Sequence, residues 1–227
     1  RKEQSITGNG HGLAMNIAAS GMNAASKLSY LTSGIASLPR LRDMVSISES
    51  PEGIAKIIGQ MSDLYKKINT VSAEHLLISD ASNLKDALSA LDNVWSIKPT
   101  TSKSKFSFDK VCAKVSEAWV VPTQTNFCAK AYPTVGADHP DAAVLSVLAG
   151  YLRNGYLHTK IREQGGAYGG GATQDSAAAC FKFYSYRDPR FKGTYDDFTA
   201  CISWFAEHDH ESAELEQAIL GVVSGID

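Results

Sequence analysis

The most constraining feature of this sequence is a long helical pattern that runs into a cluster of glycines. Between Asp138 and Glu163 the pattern has Asp138 or His139 as N-cap and Pro140 in the first turn, where proline costs no hydrogen bond. Gly165 and Gly166 follow, where a helix end needs a residue that accepts positive φ. The spacing predicts a helix that ends near Glu163 and buries one stripe: Val144, Val147, Leu148, Tyr151, Leu152 and Ile161.

Beyond the glycines the sequence predicts strands and two more helices. We expect Tyr168 to begin a strand, and Ala178–Tyr186 alternates as a second strand does. Its two faces would carry Phe181 and Phe183 on one side and Cys180, Lys182 and Tyr184 on the other. Helical spacing of apolar residues returns in Tyr195–Ala206 and Glu211–Val223.

The earlier part of the chain also mixes helical and strand-like patterns. Ser5–Ala25 suggests a short strand followed by a helix start, and Ala73–Ser79 is a short apolar run typical of a buried strand. Pro51–Asn69 and Asn83–Val94 have the apolar spacing of amphipathic helices. Ala118–Tyr132 is rich in strand-forming residues, with Pro122 at an edge or a break.

These patterns predict an α+β fold with mainly antiparallel sheets packed against helices. The most linker-like segment is KPTTSKSK, which is polar, basic and proline-bearing. We therefore predict two tandem domains, residues 1–97 and 107–227, joined by a linker over residues 98–106.

Composition excludes several classes of function. The formal net charge is −2, so there is no global field to hold nucleic acid or an anionic membrane. No apolar run reaches the roughly 18 residues of a membrane span, and the N-terminus lacks a signal-peptide core. The four cysteines stand far apart, which favours reduced thiols. A bacterial cytoplasm or an organelle matrix fits this composition. The ends at Arg1 and Asp227 suggest that the sequence is a piece of a longer protein.

Two motif classes come close and fail. A phosphate-binding loop places its glycines before a helix and follows them with lysine and a hydroxyl residue, whereas here the helix comes first. The segment HDHES offers His208 and Glu211 but has Ser212 where an inverted zinc motif, H-x-x-E-H, needs histidine. No metal ligands are therefore predicted in this sequence, and a nucleotide-binding module is a remote alternative.

Arg162 and Tyr168 are the remaining candidates for chemistry. Each has an ordinary structural explanation, as a cation at a helix C-terminus and as a strand aromatic. Together, a helix end and a sharp turn can bring both side chains to one point, where they can donate hydrogen bonds to carbonyl or oxyanion oxygens. Ala167 and Gly169–Gly171 are small and leave the strand edge bare, so a peptide backbone could approach or pair with it, and Gly169 and Gly170 are the predicted substrate-binding glycines. The sequence predicts a peptide-binding site.

The same residues carry a resemblance to a known family. LRNGYLHTKIREQGGAYGGGA followed by FKFYSYRDPR resembles the C-terminal half of the pitrilysin and insulysin zinc peptidases, in their presequence-protease branch. SITGNGHGLAM near the start and AILGVVSGID at the end are also similar to that branch.

The resemblance implies a set of expectations. In that family, four related α+β domains form two halves that close on an unfolded peptide; the N-terminal half holds zinc through H-x-x-E-H. The C-terminal half supplies an arginine and a tyrosine, which match Arg162 and Tyr168. Residues 1–97 would be the end of the third domain and residues 107–227 most of the fourth, with the N-terminal half of the parent chain and an unfolded peptide as partners.

Two interpretations stay open from this resemblance. H-x-x-E-H is absent here, so the chain alone should not hydrolyse peptides and zinc would be held upstream in a parent metalloendopeptidase. Alternatively, the parent is a zinc-free homologue that binds peptides or scaffolds a partner subunit.

Overall fold

The computed structural model describes residues 6–70, 75–94 and 111–225. They form eight α-helices, one π-helix and three strands, so the predicted α+β class is confirmed. In chain order the elements are α1 (Ile6–Ala19), α2 (Ala24–Thr32), α3 (Ser37–Ile47), α4 (Pro51–Thr70), α5 (Leu84–Val94), β1 (Ala129–Pro133), α6 (Asp141–Leu152), the π-helix (Arg153–Glu163), β2 (Gly169–Asp175), β3 (Cys180–Tyr186), α7 (Lys192–Glu207) and α8 (Ser212–Val223).

The chain divides into two compact units that differ from the predicted division. One unit joins Arg1–Arg40 with Phe108–Asp227, and the other is Leu41–Ser107. The N-terminal helices therefore group with the C-terminal part of the chain. The linker predicted at 98–106 lies outside the described residues, and the assignment of 1–97 and 107–227 to two related domains stays a prediction.

An antiparallel sheet organises the first unit, with strand order β1-β3-β2. In the register of the central strand, Tyr184 lies opposite Ala129 on one side and opposite Gly171 on the other. β2 pairs with β3 along one side only, so it is an edge strand of this sheet in the part of the chain that the structure describes.

Each face of the sheet packs against helices. Phe181 and Phe183 lie in the main core, together with Leu157 and Ile161 of the π-helix and Phe198 of α7. On the opposite face, α1 packs on β1 and β3, and Ala19 contacts Cys180 and Ala178. The predicted alternation in Ala178–Tyr186 is confirmed, and it places the π-helix and α1 on opposite faces of the sheet.

The second unit contains α4 and α5, which confirms the two predicted amphipathic helices. Many of their apolar side chains are exposed, including Ile58, Met61 and Leu88. The strand predicted at Ala73–Ser79 is wrong for the residues described, because 75–79 have no regular structure. No strand pairs with this segment among the described residues. An apolar run forms a β-strand only where a neighbouring strand supplies hydrogen-bond partners.

Three further corrections concern the first unit. Ser5–Ala25 contains no strand in its described residues: α1 and the start of α2 occupy it, with a non-helical residue at Asn9. The strand predicted in Ala118–Tyr132 is confined to β1, apart from a bridge between Asn126 and Asp188. Val144 is 63% exposed rather than part of the buried stripe.

No helix among the described residues has the length and apolar character to cross a membrane.

Candidate functional site

Arg162 lies in the last turn of the π-helix, where the preceding residue fixes its position. Ile161 is completely buried in the core, while Arg162 is exposed. Gln164 N donates to the Thr159 carbonyl at 2.9 Å, five residues back, which is the wider hydrogen-bond spacing of a π-helix. In the part of the chain that the structure describes, no side-chain hydrogen bond or ion pair engages Arg162, so its guanidinium is free to bind a ligand.

The turn after the helix forms as the glycines predict. Gly166 has φ +78°, and its N–H donates to the Arg162 carbonyl at 3.0 Å. Ala167 N–H donates to the Ile161 carbonyl at 3.1 Å. These bonds satisfy carbonyls at the helix C-terminus, so the turn presents no row of free N–H groups to a phosphate. They also hold the backbones next to Arg162 and Tyr168 together.

Tyr168 lies just before β2 and is exposed over 68% of its surface. Its N–H donates to the Arg187 carbonyl at 3.4 Å, and its ring contacts the Tyr186 ring edge-on with centroids 5.6 Å apart. The Arg187 guanidinium carbon lies 5.9 Å from the Tyr168 centroid. Tyr168 therefore contacts the end of β3, and convergence of Arg162 and Tyr168 on one ligand stays a prediction.

The glycines of β2 do two different things. A Cβ at Gly169 would meet no heavy atom within 4 Å, which fits the predicted open space beside the strand. At Gly170 a Cβ would lie 2.5 Å from Ile161 Cγ2, and at Gly171 it would lie 2.7 Å from Arg153 Cγ. The expectation that Gly170 and Gly171 leave the strand bare is therefore wrong, because they let the helix pack closely. Substrate binding by the Gly169 and Gly170 backbone stays a prediction.

A buried polar network supports the site, and the sequence reasoning missed it. Asp188 is completely buried; its Oδ1 accepts the Arg190 N–H at 2.9 Å and its Oδ2 accepts the Thr194 hydroxyl at 2.7 Å. Its backbone N–H and C=O both bond to Asn126. Asp188-Pro189, one residue after a predicted strand, is the local signal that could have drawn attention to this turn.

Arg190 links the same turn to the π-helix. Its Nη2 donates to the Lys160 carbonyl at 3.2 Å and lies 2.9 Å from Asp197 Oδ2, close enough for an ion pair though off the direction of a hydrogen bond. The side chain also fills the space where a Cβ at Gly165 would lie. The last turns of the π-helix and the turn that follows β3 are thus joined by a hydrogen bond.

His11 of α1 packs under this region from the other face. Its ring lies 4.9 Å from the Tyr186 ring and 5.7 Å from the Tyr184 ring, centroid to centroid. Burial lowers the pKa of His11 below its ordinary value, and its Nδ1 is buried without a hydrogen-bond partner. The packing therefore favours a neutral imidazole beneath Tyr186.

The HDHES segment serves packing and hydrogen bonding. His210 Nδ1 lies 2.8 Å from the Tyr151 hydroxyl oxygen, and that hydroxyl donates to Glu214 at 2.8 Å. His210 Nε2 lies 2.8 Å from the Phe205 carbonyl oxygen. Within residues 6–70, 75–94 and 111–225, no group of three or more His, Cys, Asp and Glu side chains is placed to hold a metal.

The cysteines are free thiols, as predicted. Burial raises the pKa of Cys128 to about 11 and that of Cys201 to about 12, and it also raises the pKa of Cys180. A thiol needs a lowered pKa to act as a nucleophile near neutral pH, so these three stay protonated and inert.

Comparison with known proteins now identifies the family. The family model for the PreP C-terminal domain matches residues 116–227, which include Arg162, Tyr168 and the Asp188 network. Residues 116–227 therefore belong to the PreP C-terminal domain family. The predicted resemblance to the presequence-protease branch is thereby confirmed.

Relatives extend this similarity beyond the PreP C-terminal domain. The chain is 29% identical to a mitochondrial presequence protease of Yarrowia lipolytica over 96% of its length, and 30% identical to that of Emericella nidulans over 98%. The mitochondrial presequence protease of Drosophila melanogaster is 30% identical, also over 98% of this chain. The chain spans only 21–22% of the length of these three relatives.

Proposed function

We propose that this chain is the C-terminal, non-zinc-binding part of a zinc metalloendopeptidase that degrades short unstructured peptides. Similarity to presequence proteases over 96–98% of the chain supports the class of the parent protein. The observation that carries the assignment to a site is the pair of exposed donors, Arg162 and Tyr168, on either side of an internally bonded turn.

Each residue has a distinct role in the proposal. The Tyr168 hydroxyl donates a hydrogen bond to the substrate carbonyl or to the oxyanion that develops from it. Arg162 anchors the peptide backbone and adds positive charge, and its lack of a partner among the described residues leaves all its donors available. The space at Gly169 leaves room for a peptide backbone beside the edge strand β2.

The residues described here do not fit a zinc site, so no step of the reaction is assigned to a metal held by this chain. In the proposal zinc belongs to the N-terminal half of the parent chain, which closes on the peptide with this part. Because the relatives are mitochondrial presequence proteases, we propose an organelle matrix as the location of the parent protein.

A peptidase assay of the full-length parent tests this function. It should cleave an unstructured peptide and lose that activity when a chelator removes its metal, and the 227-residue chain alone should be inactive. Arg162→Ala should raise KM for the peptide, while Arg40→Ala serves as a control in an exposed helical position. A parent that binds the peptide without cleaving it would instead indicate a zinc-free homologue.

The remote nucleotide-binding alternative has a separate test. A ligand that binds the folded state raises Tm. Because we do not expect this chain to bind nucleotides, nucleotides at millimolar concentration should leave its Tm unchanged. A rise in Tm with nucleotide would contradict the peptide-site interpretation of the glycine turn.

A further inference from the structure

Arg187 has a backbone conformation that its residue type does not favour. Its φ is +49°, in the left-handed region where a side chain is strained and glycine is at ease. It directly follows β3 and is exposed. A strained residue next to a proposed site is a reason to ask what its side chain does.

The turn itself does not depend on the Arg187 side chain. Asp188 anchors it through the bonds to Arg190, Thr194 and Asn126 described above, all made by a residue that is completely buried. These bonds over-determine the backbone and hold residue 187 in its strained conformation. Glycine at this position would make the same turn with less strain, so the presence of arginine calls for another explanation.

The contacts of the guanidinium supply that explanation. It lies 5.2 Å from the Tyr186 ring centroid and 5.9 Å from the Tyr168 ring centroid, within the range of a cation–π interaction. In the part of the chain that the structure describes, no carboxylate forms an ion pair with it. Among the described residues, the two tyrosine rings are therefore the partners of this side chain.

We propose that Arg187 is a positioning residue for Tyr168. Its carbonyl accepts the Tyr168 N–H, and its guanidinium lies against the Tyr168 ring, which itself rests edge-on against Tyr186. An exposed tyrosine without such contacts would sample several rotamers in water. Holding the ring in one position removes part of the ordering cost that the hydrogen bond to the transition state would otherwise carry.

This inference rests on the proposed role of Tyr168 in peptide hydrolysis, and it makes a specific kinetic prediction. In the full-length parent, Arg187→Gly keeps the backbone conformation and the carbonyl but removes the cation, so kcat/KM should fall by roughly 5-fold, the size of an exposed cation–π contact. The loss should lie in kcat, because Tyr168 acts on the transition state. Arg187→Lys should retain most of the activity.

Stability and a double-mutant cycle separate positioning from other effects. Arg187→Gly should not lower Tm, because glycine relieves the positive φ. In a Tyr168→Phe background it should cost no further activity, since there is no hydroxyl left to position. Lys27→Gln, which removes the exposed cation that lies 5.2 Å from the ring centroid of the buried Tyr30, should leave kcat/KM unchanged.

Each contrary outcome has a definite meaning. Full activity of Arg187→Gly, beside a large loss in Tyr168→Phe, overturns the role of Arg187 and leaves the proposed function standing. An equal loss in both backgrounds shows that Arg187 acts independently of the Tyr168 hydroxyl, and it also overturns positioning. Full activity of Tyr168→Phe overturns the proposed role of the Tyr168 hydroxyl, and with it this inference, while the peptidase class of the parent would still stand.

Discussion

Gly170 and Gly169 form a matched pair of substitutions that tests how the π-helix packs on the edge strand β2. At Gly170 an alanine Cβ would lie 2.5 Å from Ile161 Cγ2 and 3.1 Å from the Tyr184 carbonyl oxygen. Carbon atoms pack at about 3.5–4.0 Å, so the neighbours must move by roughly 1 Å. Ile161 is fully buried and β-branched, and its side chain has few rotamers with which to move away.

The two variants should therefore differ clearly in stability. Overpacking at Gly170 should lower the free energy of unfolding by about 1–3 kcal/mol. At Gly169 a Cβ meets nothing within 4 Å and φ is not in the left-handed region, so alanine should stabilise by about 0.4–1 kcal/mol through the unfolded chain. We expect Gly170→Ala to unfold roughly 5–10 °C below Gly169→Ala.

Thermal and urea unfolding of the 227-residue chain, followed by circular dichroism, measures this difference. The urea m-value should be the same in both variants, so that the shift in midpoint reports stability alone. In an Ile161→Ala background, Gly170→Ala should lose most of its cost, because Ile161 Cγ2, the nearest clashing atom, is gone. Equal stability of Gly170→Ala and Gly169→Ala would refute the close packing of helix and strand.

Three further predictions concern buried or partly buried polar groups. Asp188→Ala should lower the free energy of unfolding by about 2–4 kcal/mol and Thr194→Val by about 1–2 kcal/mol, because each leaves hydrogen-bonding groups without partners in a buried site. Urea titrations measure both changes, and wild-type stability of both variants would contradict the network. Burial lowers the pKa of His11, so the contribution of His11 to stability is present above its unfolded pKa of 6.5 and is lost as pH falls through the folded pKa. His11→Met should therefore make the free energy of unfolding depend less on pH between pH 7 and 5. An unchanged slope in that range would contradict this role of His11. For Asp175, burial would raise the pKa, but the hydrogen bonds from Lys182 Nζ at 2.6 Å and from the Ala178 N–H outweigh burial and lower it. Its stabilisation is present above pH 3.8 and is lost as pH falls through the folded pKa, so Asp175→Asn should be destabilising at pH 7 and neutral in acid, as unfolding at both pH values would reveal.

Local signals made parts of the fold predictable from sequence. The helix end near Glu163 and the left-handed Gly166 follow from glycine chemistry and from the C-terminal carbonyls that need partners. The alternation of β3 follows from the two faces of a strand, and α4 follows from its apolar spacing. Arg162 and Tyr168 are candidate residues because they flank that predictable turn.

Other features depend on contacts that no local pattern encodes. The π-helix differs from an α-helix in hydrogen-bond spacing, and periodicity does not distinguish an 11-residue stretch of one from the other. Ser5–Ala25 contains several glycines, which weaken a helix on average, yet α1 forms because it packs on the sheet and Gly10 lets it approach Phe127 closely. The buried state of Asp188 is decided by partners far along the chain, such as Asn126.

The most direct test of the central claim is the kcat/KM of full-length Tyr168→Phe for an unstructured peptide, relative to wild type. Tyr65→Phe is a matched control, since both tyrosines are 68% exposed and Tyr65 lies in the other unit. The Tyr168→Phe variant should lose about 100-fold in kcat/KM, the size of one lost oxyanion donor, with its Tm unchanged. Tyr65→Phe should match wild type. If Tyr168→Phe matches wild type too, the claim that this hydroxyl takes part in peptide hydrolysis is wrong.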